Sequence, residues 1–343
     1  MSFLAYFFTN YSLFFAKTAT IVIAILIVFA SLAALRMKAK SQNKATLHVD
    51  KINEKYDEIK DEINEIIQTK SERKKLSKEK KVREKIDKKN NKNSDGYRKK
   101  LFVLNFNGDM QASAVSSLRE EITAILLTAQ KEDQVLLKLE SGGGVVHGYG
   151  LASSQLQRLK DAKIFLTISI DKVAASGGYM MACVADKIIA APFAIIGSIG
   201  VIAQLPNVHR LLKKNDIDFE QITAGEYKRT LTVFGENTKA GREKLQEEVD
   251  EMHELFKTFV KTNRPIVPIE QVATGEHWFA AQTMDKKLID QLQTSDDYLM
   301  AQKDHFDMYE VEYKMRQTFL QKLTDRTQSH LAKIFNLKNK MYA

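Results

Sequence analysis

The chain has 343 residues, 44% hydrophobic and 28% charged, long enough for a domain with a substantial core and too apolar for a disordered or fibrous protein. Its one cysteine, Cys183, excludes an internal disulfide framework and any multi-cysteine metal site. The seven histidines lack the HxxxH spacing of a metalloenzyme, so no metal or other cofactor is expected.

The formal charge of +9 is concentrated in one segment: residues 36–100 hold 22 Lys/Arg against 12 Asp/Glu, whereas residues 101–343 hold 29 against 31. The basicity belongs to a tether suited to anionic lipid, and nucleic acid is not expected as a partner.

Residues 1–40 read as a membrane anchor. From Thr18 to Leu35 the chain carries no charge and is rich in Ile, Val, Ala and Leu, about the shortest apolar run that crosses a bilayer as a helix. Phe7, Phe8, Tyr11, Phe14 and Phe15 precede it and either extend the helix or sit at headgroup level. The charged end follows the apolar run, the reverse of a cleaved signal peptide. Arg36, Lys38, Lys40, Lys44 and Lys51 lie after the span and Lys17 before it, which by the positive-inside rule puts the body in the cytoplasm.

Residues 41–100 read as a charged helical stalk and linker. Val49, Ile52, Tyr56, Ile59, Ile63 and Ile66 alternate steps of three and four, the stripe of a short coiled coil, a docking helix or a helix packed on its own domain. Residues 70–100 are almost devoid of apolar side chains and rich in Lys, Asn and Ser, as linkers are.

Residues 101–300 alternate strands and helices. LFVLNF (101–106), VLLKLE (135–140) and IFLTISI (164–170) read as buried strands, with helices over Ser117–Ala129 and Tyr149–Lys160 between them. That rhythm predicts an α/β fold with a largely parallel sheet. Residues 188–208 lack charge for 21 positions, but Pro192, Gly197, Gly200 and Pro206 interrupt the run, which fits buried strands better than a second membrane span. The 301–343 tail is basic, with seven Lys/Arg and one acidic residue from Tyr313 onward, and reads as a solvated face.

Two segments could carry chemistry. Glu140-Ser141-Gly142-Gly143-Gly144 follows a strand and lets backbone N–H groups approach a ligand, though a tight turn explains it equally well. Val173-Ala174-Ala175-Ser176-Gly177-Gly178-Tyr179 has small residues on both sides of Ser176. These permit a sharp strand-to-helix turn that presents the hydroxyl beside the N–H of Gly177; the alternative is a helix N-cap. Both segments end strands of one parallel sheet, where ligand sites gather. A nucleophilic serine needs a proton acceptor, for which His147 and Lys228, the latter after the strand-like FEQIT, are candidates.

The motifs SGGG (141–144), DKVAASGGYMMA (171–182), GSIGV (197–201), GEYKRT (225–230) and TGEHWFAAQTMDKKLID (274–290) resemble, in order, those of the signal-peptide-peptidase-A family of serine peptidases. With the anchor and stalk in front, the chain resembles the SohB-type, membrane-anchored bacterial branch. The resemblance implies a crotonase-like or Clp-protease-like α/β catalytic domain and a serine endopeptidase with a Ser/Lys dyad. Ser176 would be the nucleophile, Lys228 the general base, and the N–H groups of Gly143 and Gly177 the oxyanion hole. Ser198, by its place in GSIGV, would orient the lysine, with a core turn serine as the alternative.

The implied substrates are unfolded, signal-peptide-like or membrane-associated polypeptides. The implied state is a homo-oligomer in which neighbouring copies complete one site. The implied location is the bacterial inner membrane, single-pass, with a periplasmic body, against the orientation given by the charges. Such a lysine must be neutral to act, so burial against apolar residues is expected around it. Two positions depart from the family: Gly142 stands where proline is frequent, and Lys287 where glycine is usual, the latter expected to alter a helix cap. Rival readings are a crotonase-type acyl-CoA enzyme and a non-catalytic membrane scaffold using the 49–67 stripe.

Overall fold

The computed structural model describes residues 46–69 and 98–314, with positions 14, 15, 17–20, 22, 23 and 72. Residues Leu47–Tyr313 form one compact unit, and Met1–Thr46 with Lys314–Ala343 belong to a second. In the second unit, the described positions between Phe14 and Ile23 are helical, and the Thr18 hydroxyl donates to the Phe14 carbonyl at 2.9 Å. The greater part of the 18–35 anchor, of the 70–100 linker and of the C-terminal tail lies outside the described residues. Among the described residues no helix is long and apolar enough to cross a membrane.

The compact unit is α/β. Its strands are β1 (Thr46–Lys51), β2 (Lys100–Gly108), β3 (Gln134–Ser141), β4 (Phe165–Ile170), β5 (Val173–Ala175), β6 (Lys187–Ala190), β7 (Ile195–Gly197), β8 (His277–Phe279), β9 (Gln291–Leu292) and β10 (Asp307–Lys314). The main path runs β1-β10-β2-β3-β4-β6-β9, parallel at each pairing from β10 to β9. The helices are α1 (Ile52–Ile67), α2 (Val115–Thr128), α3 (Val146–Asp161), α4 (Gly177–Ala182), α5 (His209–Lys214), α6 (Lys239–Asn263), α7 (Ile269–Val272) and α8 (Ser295–Gln302). The three strands and two helices expected between residues 101 and 170 are present with their ends shifted by a few residues.

Side-chain alternation along the strands divides the core into two layers. Phe102, Leu104 and Phe106 of β2, with Val135, Leu137 and Leu139 of β3, face one layer, closed by Leu118 and Ile122 of α2, Tyr149 and Leu156 of α3, and Phe256 and Val260 of α6. Leu101, Val103 and Leu136 face the other, under Ile52 of α1 and Tyr298 and Leu299 of α8. Each such fully buried side chain contributes roughly 1.5–3 kcal/mol.

The stalk helix docks at its first turn. Ile52 is buried and Tyr56 packs against it. The Asn53 carboxamide donates to the carbonyls of Lys303 and Phe306 and accepts from Met308 N–H at 2.7 Å. Farther along, the stripe reaches solvent, with Ile66 85% exposed. The compact unit therefore begins before residue 100 and continues past residue 300.

The apolar run from residue 188 divides. Ile188, Ile189 and Ile196 are buried strand residues, as expected, and Ile199 is buried two positions beyond β7. Residues 201–208 have no regular structure and Ile202 is 78% exposed.

The end of α6 is fixed by an ion pair between buried Arg264 and solvent-accessible Asp290. Arg264 Nη2 and Nη1 meet the Asp290 oxygens at 2.7 and 3.2 Å, Arg264 Nε donates to the Lys287 carbonyl, and Asp290 also accepts from Ile188 N–H. Lys287 is a turn residue with φ +60°, so the departure from glycine falls on a left-handed position rather than a helix cap and carries about 1–2 kcal/mol of strain.

Candidate active site

The site is built where the sheet forks. Gln134–Lys138 of β3 pair with β4, but the last residue, Ser141, pairs with Ala174 of β5. Strand β5 then pairs in parallel with β7, and β7 antiparallel with β8. The carboxyl ends of β3 and β5 are thereby side by side, the place where parallel sheets expose backbone to ligands. The glycine run after β3 and the serine turn after β5 face each other.

Ser176 has φ +52° and ψ −120°, a conformation that costs a residue with a Cβ on the order of 1–3 kcal/mol. It is held by its N–H donating to the Gly197 carbonyl at 2.8 Å and its carbonyl accepting from Met180 N–H at 3.0 Å. This is the sharp strand-to-helix turn expected from the small residues around it, with the side chain half-buried. Gly143, at φ +88°, lies against it: a Cβ there would stand 2.7 Å from Ser176 Cβ and 2.8 Å from Gly177 N. A Cβ on Gly177 would collide with the Tyr149 ring. The two glycines are required by close approach, so the turn and the loop can share one small volume.

The N–H of Gly177, first in α4, has no intrahelical acceptor. Gly143 differs from expectation, because its N–H donates to Ser141 Oγ at 3.0 Å. It is committed to its own loop, because the strand-end serine curls back on the residue two positions later.

Ser198 follows β7, whose Gly197 is the register partner of Ala175. It is half-buried, has φ +52°, and donates its N–H to the Glu276 carbonyl at 2.6 Å.

Lys228 is exposed, in a turn closed by its own N–H to the Gly225 carbonyl. Among the described residues no hydrogen bond joins it to Ser176. Among the described residues the dry pocket expected around it is not formed. It rides on an arm, residues 200–238, which carries the short helix α5 and whose apolar side chains are largely in solvent, Ile222 being 97% exposed. FEQIT (219–223) is irregular rather than a strand. His147 is exposed at the start of α3.

The structure thus gathers Ser176, Gly143, Gly177 and, one strand over, Ser198, whereas Lys228 is exposed and, among the described residues, makes no hydrogen bond to any of them. Sequence reasoning missed Tyr149, whose ring underlies Gly177 and whose hydroxyl contacts Ser141 at 2.5 Å. A buried tyrosine needs a hydroxyl partner, but no pattern within the chain says which.

Models of peptidase family S49 match both halves of the chain: the S49 N-terminal model over residues 6–156 and the S49 model over residues 158–309. A probable protease SohB of Haemophilus influenzae is 49% identical over 322 residues, spanning 92% of this chain and 91% of its own. The chain belongs to peptidase family S49. Another probable protease SohB, from Buchnera aphidicola of Acyrthosiphon pisum, is 49% identical over 339 residues, 96% of this chain and 98% of its own.

Among solved structures, a membrane-bound stomatin-specific protease in complex with a substrate peptide aligns over 68% of this chain and 100% of its own, with 13% identity and a TM-score of 0.44. This S49 member is a hydrolase, serine-type by family, and the acyl-CoA enzyme reading is not favoured. The boundary between the two family models falls inside α3, so it divides a helix and not the fold.

Proposed function

We propose that this protein is a membrane-anchored serine endopeptidase in which Ser176 attacks the peptide carbonyl and Lys228 of a neighbouring copy takes its proton. The observation that carries the reading is the strained Ser176 turn at the head of α4, with the Gly143 loop packed against both Ser176 Cβ and Gly177 N. Strain at a serine between two glycine-bearing strand ends marks a position kept for chemistry. The fork of the sheet accords with a crotonase- or Clp-protease-like domain.

In this reading, neutral Lys228 accepts the Ser176 proton as Oγ adds to the carbonyl. The tetrahedral oxyanion receives the Gly177 N–H, and the proton passes to the leaving amine. Water then hydrolyses the acyl-enzyme, with the same lysine as base. Ser198, next to the turn, holds the lysine amine. A lysine in water stays charged, and the arm supplies its own remedy: Ile202, Leu211 and Ile222 are exposed in one chain and bury themselves, with Lys228, when a second copy covers them. A repeated head-to-tail contact of this kind closes into a ring.

The substrates are unfolded, signal-peptide-like or membrane-associated polypeptides, and residues 18–35 hold the enzyme at the bacterial inner membrane. The basic cluster 36–51 favours a cytoplasmic body and the family resemblance a periplasmic one; protease accessibility in spheroplasts decides between them. The test of the chemistry is turnover of a labelled unfolded protein by the full chain. Ser176→Ala and Lys228→Ala should each lose at least about 10³-fold in kcat, with light scattering showing an oligomer. Full turnover in both variants, or an active monomer, overturns the reading.

A further inference from the structure

The glycine loop opposite Ser176 is held by a chain of hydroxyls whose direction is fixed. Tyr149 Oη lies 2.8 Å from the Asp109 carbonyl oxygen and 2.5 Å from Ser141 Oγ. A carbonyl only accepts and a tyrosine hydroxyl has one proton, so Tyr149 donates to Asp109 and Ser141 donates to Tyr149. The oxygen of Ser141 is then left to accept the Gly143 N–H at 3.0 Å. The order is Gly143 to Ser141 to Tyr149 to the Asp109 carbonyl, with every proton assigned. Ser141 and Tyr149 are 2% and 0% exposed.

The far end of the chain is itself rigid. The Asp109 carboxylate accepts from Gln111 N–H, Ser113 N–H and the Ser113 hydroxyl, which fixes the turn after β2. Val145 N–H donates to the Met110 carbonyl at 2.9 Å and ties the other end of the glycine loop to the same turn. The ring of Tyr149 lies directly under Gly177, where it leaves no room for a Cβ. One side chain therefore supports both walls around Ser176: the Gly177 N–H through its ring and the Gly143 loop through its hydroxyl.

We propose that Ser141 and Tyr149 are positioning residues of the peptidase reaction, their paired hydroxyls fixing the Gly142–Gly144 loop against Ser176. This rests on Ser176 being the nucleophile. A loop released from Asp109 still admits a polypeptide but no longer holds its peptide dipoles where charge develops, so the loss falls on the chemical step and not on substrate binding.

The experiment measures kcat and KM of the full chain on a labelled unfolded protein for Ser141→Ala, Tyr149→Phe and the double variant, at a temperature where calorimetry shows each to be folded. Tyr149→Phe keeps the ring under Gly177 and removes only the hydroxyl. The expected result is a loss of about 10- to 100-fold in kcat for each single variant with KM within about threefold. The double variant should fall no further than the weaker single, because both act through one chain.

Unchanged kcat, losses that multiply, or a rise in KM alone overturns the proposal. Should Ser141→Ala fail to fold, Tyr149→Phe carries the kcat and KM test by itself. Ser176→Ala runs in parallel: if it retains turnover the nucleophile assignment falls, and if it is inactive while the hydroxyl variants keep normal kcat, only the positioning role falls.

Discussion

Two regions of this chain carry the proposed dyad, and they are built in opposite ways. Around Ser176, three strand ends and α3 meet so closely that glycine is required at Gly143 and Gly177, and the residues that press on the turn come from the same compact unit. Around Lys228, a long arm exposes isoleucines and a leucine and has little regular structure. The difference teaches that the turn of the proposed nucleophile is prepared by the folding of one chain, whereas among the described residues the surroundings of the proposed base are not. Tight packing sets the serine's geometry; the proposed mechanism takes the lysine's environment from a surface that covers the arm.

The sharpest way to break this comparison is to disturb the packed region by a single carbon. Gly143→Ala places a Cβ 2.7 Å from that of Ser176, at a position with φ +88°, whereas one residue earlier Gly142→Ala meets nothing within 4 Å. Gly143→Ala should lower kcat by about 100-fold or more and cost about 1–3 kcal/mol of stability, and Gly142→Ala should change both little. Equal effects at the two positions, read by turnover and by urea unfolding, would mean that the loop is not packed against the nucleophile.

A smaller effect belongs to the packed body alone. Glu121 of α2 is buried and accepts the Tyr313 N–H at 2.9 Å at the end of β10. Burial pushes its carboxyl up to about 7, the Tyr313 hydrogen bond opposing and Glu312 adding to the shift. The folded chain then binds a proton that the unfolded chain releases near pH 4.5. The contribution to stability is full below that pH and is lost as pH rises through about 7. Glu121→Gln keeps an acceptor for Tyr313 and should flatten this slope, adding on the order of 1–2 kcal/mol at pH 8 after allowance for solvent screening. An unchanged slope in urea titrations between pH 4.5 and 7 would mean that Glu121 does not titrate with folding.

Much of the packed region is legible in the sequence. The apolar runs at 101–106, 135–140 and 164–170 have the length and boundaries of buried strands, and the glycines around Ser176 announce a turn that no larger residue could make. What is not legible depends on partners distant in the chain. The stripe from Val49 to Ile66 is periodic throughout, but only the first turn docks, because Asn53 finds the carbonyls of Lys303 and Phe306 some 250 positions away. SGGG shows three glycines and hides the role of its serine, which needs the Tyr149 hydroxyl to be seen. A neutral Lys228 requires apolar surroundings, but the sequence does not say which side chains supply them. That is a matter of tertiary structure, and among the described residues Lys228 is exposed.

The most direct test of the divided dyad is complementation. Ser176→Ala and Lys228→Ala chains, each inactive alone, are co-expressed and purified as mixed oligomers. If the serine of one copy works with the lysine of the next, random mixing in a head-to-tail ring restores about one quarter of the sites, and turnover returns to a comparable fraction of wild type. If the mixed oligomers assemble and remain inactive, the two residues do not meet across a subunit boundary, and a dyad divided between copies is ruled out.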